Sequence, residues 1–153
     1  MFIRRAILIA VILWAIPLLA APHGQTQPPS SGNGGCAHGG LMTGRLTPGT
    51  GSAGQNIHRE ATLRDCASPL LPGIYAGQFS VTIPWNAAGA TSTATFTWSD
   101  GRVSTATGYG NGLWSITSGP ASGHGIQFHM ADTWIGWYFS YADATVISAT
   151  FLP

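Results

Sequence analysis

The sequence predicts an all-β fold: an antiparallel β-sandwich or β-barrel of about eight to nine short strands. Three observations carry this. Apolar residues recur with period two through most of the chain beyond residue 36, as half-buried strands require, and no stretch shows a helical stripe. Clusters of Gly, Pro and Asn at 48–56, 67–73, 84–89, 108–112 and 119–125 punctuate these runs at short intervals. An Asp-Gly pair at 100–101 stands between two alternating runs, a strong short-range hairpin signal. Periodicity does not choose between the two closures.

Taken in order, the chain opens MFIRRAILIAVILWAIPLLAAPHG. Arg4 and Arg5 precede an uncharged apolar run from Ala6 to Ala21, with small residues at its end, the order of a secretory signal peptide over residues 1–20. The run is shorter than the roughly 20 residues a spanning helix needs. Cleavage after Ala20 is expected, the alternative being a retained signal anchor. Residues 21–35 are rich in Pro, Gly, Ser and Gln and lack an apolar anchor, so they read as a flexible linker. Residues 36–153 then form one domain, long enough to bury a single core.

Within that domain, Ile57, Ala61 and Leu63 alternate with His58, Glu60, Thr62 and Arg64. Tyr75, Phe79, Val81 and Ile83 share a face opposite Gln78, Ser80 and Thr82. Ile126, Phe128 and Met130 oppose Gln127 and His129, and Ile147, Ala149 and Phe151 share a face near the end. A two-residue turn at Asp100-Gly101 would set Ser99 against Arg102, Trp98 against Val103 and Phe96 against Thr105. Ala94, Phe96, Trp98 and Val103 then form the core face, and Thr93, Thr95, Thr97, Arg102 and Ser104 the other. Trp98 is accordingly a core residue, and Trp114 with Ile116 another.

Cys36 and Cys66 are the only cysteines, and in an oxidising compartment the simplest reading is one disulfide. Closing a loop of that length is worth roughly 3–4 kcal/mol in the chain-entropy account. Neither cysteine lies in a CxxC or has a histidine at ligand spacing, so no metal site is expected.

Six arginines, no lysine and five acids make up the charge; without Arg4 and Arg5, four arginines face five acids, near minus one. Such a surface lacks the basic clusters that phosphates demand, which argues against nucleic acid, and against membrane once the signal is removed.

The stretch WSDGRVST at 98–105 resembles a hairpin found in small secreted actinobacterial proteins of unknown function. LTPGTG at 46–51, CASP at 66–69 and TSGPASG at 117–123 follow in a similar order, over about residues 44–125. The resemblance implies an exported all-β protein. It supplies no activity and no catalytic residue, and the chain lacks the additional cysteines of many members.

Candidates for chemistry are sparse. The carboxylates are Glu60, Asp65, Asp100, Asp132 and Asp143. Glycosidases need two of them about 5–10 Å apart, yet Asp132 and Asp143 flank one predicted strand, IGWYFSYAD. Ser122, His124 and Asp132 have the residue types of a hydrolase triad, but they lie in or beside a Gly-rich loop without a GxSxG elbow. His124 and His129 lack same-face spacing for a metal. No catalytic residue, metal or cofactor is therefore expected.

Aromatic residues give the positive signal. In TWIGWYFSY, Ile135, Trp137, Phe139 and Tyr141 would share one strand face, with Trp134 and Tyr138 on the other. Trp85 follows a strand-ending Pro84, and Tyr109 lies in a loop. Trp85, Tyr109, Trp134 and Tyr138 are thus the candidate ligand-binding positions. The leading expectation is an exported, non-enzymatic domain with an extracellular or cell-envelope structural or interaction role. Its partner would be a cell-wall or extracellular glycan or an envelope protein. The alternatives are a carbohydrate-binding module using those aromatics and, less favoured, an exported hydrolase.

Overall fold

Period-two alternation becomes an antiparallel barrel. A computed structural model describes residues 32–131 and 137–153. Its strands are β1 (Gly35–His38), β2 (Gly40–Pro48), β3 (Gln55–Ala67), β4 (Ala76–Pro84), β5 (Ser92–Trp98), β6 (Val103–Gly108), β7 (Leu113–Ser118), β8 (Gly125–Met130) and β9 (Ala144–Leu152). Successive strands pair from β2 to β9, and β2 also pairs with β9, which closes a ring of eight. Of sandwich and barrel, the barrel is the one formed. Closure leaves no free sheet edge in the ring.

β1 is the extra strand. Like β2 it pairs with both β3 and β9, so the two share one place in the wall, β1 at one end and β2 at the other. The register slips by one residue between them, at Gly39-Gly40, where Gly40 takes φ of +70°. Cys36 lies directly opposite Cys66 on β3, and the two form a disulfide that staples β1 into the wall. Gly34 and Gly35 belong to this arrangement: the Gly34 carbonyl accepts from Phe151 N, and Gly35 faces Thr150.

Inward positions fill the barrel with rings. Phe79 is the hub, its ring 4.8 Å from Phe128, 5.1 Å from Phe96, 5.5 Å from Trp114 and 5.9 Å from Trp137. Trp98 stacks on Phe96 at 5.5 Å and approaches Phe151 at 6.3 Å. Trp98 and Trp114 are buried, so both are core residues. Trp98 fits because β4 offers Gly77 opposite it: a Cβ there would come within 2.6 Å of the indole. Gly77→Ala is expected to cost about 1–3 kcal/mol by overpacking, read as a lowered midpoint in urea unfolding. An unchanged midpoint would mean that the indole does not sit against β4.

The hairpin at Asp100 differs from the two-residue expectation. Trp98 N donates to Arg102 O and Gly101 N to Trp98 O, so the loop is three residues, Ser99-Asp100-Gly101. Only Gly101 takes positive φ, +84°. The register moves by one: Thr97 faces Val103 and Phe96 faces Ser104. Val103 is therefore exposed, while Ser104 turns inward to accept from Trp98 Nε1 at 2.7 Å and donate to Pro120 O. The Asp100 side chain accepts from Arg102 N and Nε within this longer loop. Those same contacts, the backbone N–H first, hold the Asp100 carboxyl below its ordinary range.

Three further expectations are corrected. Tyr75 precedes β4 and is exposed, leaving Gly77 as the first inward position. Ile147 is exposed because β9 carries a bulge: Met130 faces Val146 and His129 faces Ser148, so Ile147 is the extra residue. Parity inverts there, and Val146, Ala149 and Phe151 point inward. Finally, residues 137–143 form turns and bends rather than a strand.

Candidate functional site

Four loops meet at one end of the barrel: 49–54, 85–91, 109–112 and the β8–β9 connection, described here from 137 onward. Pro84 ends β4 and Asn86 turns the chain with φ of +55°. Trp85 Nε1 then donates to Phe139 O at 3.0 Å and Asn86 N to Tyr138 O at 2.7 Å. Trp137 N donates to Gly110 O at 3.0 Å, and Ser52 N to Trp85 O at 2.8 Å. These backbone and indole bonds join the four loops into one surface.

The strap 137–143 is anchored from below by Arg59, which the sequence reading passed over. Arg59 shares the parity of Ile57 and Ala61, so it projects into the barrel and is 0% exposed. Its Nε donates to Trp137 O at 3.4 Å, Nη1 to Ala142 O at 3.2 Å and Nη2 to Ser140 O. Burial lowers the guanidinium to about 10, with the negative charge of Asp143 acting the other way. It thus stays charged through the neutral range. Opposite Arg59, Gly44 leaves room for the strap: a Cβ there would meet Tyr141 O at 2.4 Å, and its N–H binds Asp143 Oδ1 at 3.0 Å. The signal was legible, since a lone arginine on the apolar parity of a strand must find internal acceptors.

The strap decides which rings face solvent. Trp137 drops into the mouth of the barrel and is buried against Phe79, Trp114 and Phe128. Phe139 and Tyr141, which a strand would have set on the same face as Trp137, are instead 51% and 52% exposed. Of the sequence-derived positions, Trp85, Tyr109 and Tyr138 all lie at this end. Tyr109 is 57% exposed, whereas Trp85 and Tyr138 are half-buried. The Tyr138 ring rests 4.6 Å from that of Phe139 and packs on the core. Trp134 and Asp132 lie outside the described residues.

Beside Tyr109, an open groove of about 240 Å³ runs onto the outer wall. Thr91, Thr107, Tyr109, Asn111, Leu113 and Ser115 line it, above Gly108. Asn111 Oδ1 accepts from Leu113 N at 3.2 Å, which orients the amide.

Among the described residues the carboxylates have separate settings. Asp143 serves Gly44 and lies near Arg59, Asp100 binds Arg102, Asp65 is 2.7 Å from His38, and Glu60 is 3.4 Å from His58. His124 Nδ1 lies 3.3 Å from Leu152 O, at the other end of the barrel, and His129 Nε2 is 2.8 Å from Thr150 Oγ1. No cluster of three metal-binding side chains occurs among the described residues. Compared with known proteins, the chain matches no family model, no curated protein and no solved structure.

Proposed function

We propose that this protein is an exported, non-catalytic interaction domain that works at the extracellular or envelope surface through the aromatic end of its barrel. The observation that carries the reading is where the rings go. Those inside are packed against each other along the axis, which leaves the outer surface to act. Tyr109, Phe139 and Tyr141 are each exposed at this end of the barrel, on loops that the Trp85, Asn86 and Trp137 hydrogen bonds tie to one another. Rigid exposed aromatics offer large contact area at small entropic cost, and they are enriched where proteins bind. Export is supported by the leader-like residues 1–20 and by the disulfide.

The test is retention of the disulfide-bonded protein on cell-wall and envelope material, with peptidoglycan, cellulose and chitin alongside. A Tyr109→Ala, Phe139→Ala, Tyr141→Ala variant should keep the parental melting midpoint and lose retention at least about tenfold, equivalent to about 1.4 kcal/mol. Absence of parental retention on every matrix, or full retention of the variant, would overturn the reading.

A further inference from the structure

We infer that the groove beside Tyr109 is a subsite for one uncharged sugar residue, part of a neutral glycan whose chain continues over the outer face of β5–β7. The inference rests on the aromatic end being an interaction surface and gives that surface a ligand class.

The lining has the chemistry of a sugar site. Tyr109 and Leu113 supply an apolar wall for the C–H face of a pyranose. Thr91, Thr107 and Ser115 supply hydroxyls that both donate and accept, as sugar hydroxyls require. Asn111 has its Oδ1 engaged by Leu113 N, which leaves its amide N–H groups for a ligand. At about 240 Å³ the groove is small, on the scale of a single ring rather than of a drug-sized ligand.

Absence of charge selects the class. No lining residue is ionisable apart from the Tyr109 phenol. The wall that leads away is also uncharged: Thr95 faces Thr105, Thr93 faces Thr107, and Thr107 faces Ser115 across β5, β6 and β7. Phosphate or uronate groups would find no cation here. Arg102 is occupied by Asp100 at the opposite end, and Arg59 is buried beneath the strap. A neutral chain gives up no ion hydration on docking and meets a ladder of hydroxyls.

The experiment is amide chemical-shift titration of the intact protein with cellohexaose, maltohexaose, chitohexaose and mannohexaose, with polygalacturonate as the anionic counterpart. At least one neutral oligosaccharide should shift amides of Thr107–Ser115, and polygalacturonate should not. Tyr109→Ala should weaken that binding at least about tenfold and Tyr109→Phe should restore it. Asn111→Asp keeps the acceptor for Leu113 N but removes the amide N–H donors that face the ligand, and should weaken binding. Leu41→Ala, at an exposed apolar residue on β2 outside the groove, should leave it unchanged.

Lack of response to all four neutral probes, equal response to polygalacturonate, or indifference to Tyr109→Ala overturns the sugar assignment. If envelope retention still depends on the exposed rings in that case, the interaction reading stands without it. If retention is absent too, both fall.

Discussion

Phe79→Ala is expected to destabilise the protein by about 3–5 kcal/mol, the range for removing a large aromatic from a well-packed core. Phe79 is fully buried and lies within 6 Å of four other rings, from β5, β7, β8 and the strap. A cavity there cannot be refilled easily, because each neighbouring ring is held by its own strand or, for Trp137, by the strap. Aromatic pairs add about 0.5–1.5 kcal/mol each beyond the area they bury, though losses around one hub are not additive. Urea unfolding of the disulfide-bonded protein reads the change. Phe139→Ala is the control: its exposed ring should cost no more than about 0.5 kcal/mol. Equal losses at the two positions would contradict the arrangement of the core.

Arg59→Met should also be damaging, by about 3 kcal/mol, the upper end of the cost of leaving a buried acceptor without its donor; Asp143 is exposed and is not left as a buried charge. Three carbonyls of the strap would lose a charged donor, and Asp143 would lose the cation beside it. Arg59→Lys keeps the charge, but an ammonium cannot span acceptors on Trp137, Ser140 and Ala142 as a planar fork does. An intermediate loss of about 2 kcal/mol is expected, within the range for hydrogen bonds to charged groups. Hydrogen exchange locates the effect: amides of 137–143 and Asn86 should open before the barrel does. A Met variant as stable as the parent would show that the strap is held by its aromatics alone.

The two variants bear on function differently. Phe79 supports the whole barrel, whereas Arg59 sets the strap that presents Phe139 and Tyr141. Loss of surface binding in Arg59→Lys at unchanged Tyr109-groove affinity would separate the strap from the groove.

Much of the wall was legible locally. β3, β4 and β8 show inward and outward residues in the alternation that their sequences display, because burial of one sheet face acts on every second side chain. Misreadings fall where one extra residue or one side chain outweighs parity. Ile147 is pushed out by a bulge, and Val103 by a turn one residue longer than expected. In WYFSYAD, the rings at alternate positions read as a strand face, but Arg59 below draws the carbonyls of Trp137, Ser140 and Ala142 inward, which a ladder-forming strand could not allow. The candidate positions Trp85, Tyr109 and Tyr138 could be named from composition. Their unequal exposure could not, since it depends on which carbonyl takes the Trp85 indole N–H.

By itself, then, the sequence determined the all-β class, the strand periodicity, the single cysteine pair available for a disulfide and the near-neutral charge. These are properties of short windows or of simple counts. Tertiary structure alone decided that the sheet closes, through β2 pairing with β9, and that four loops share one end. It also decided that an arginine in the wall holds the strap that carries the exposed rings. Closure and shared ends depend on pairings between residues far apart in the chain, and one-residue shifts in those pairings reassign every side chain that follows.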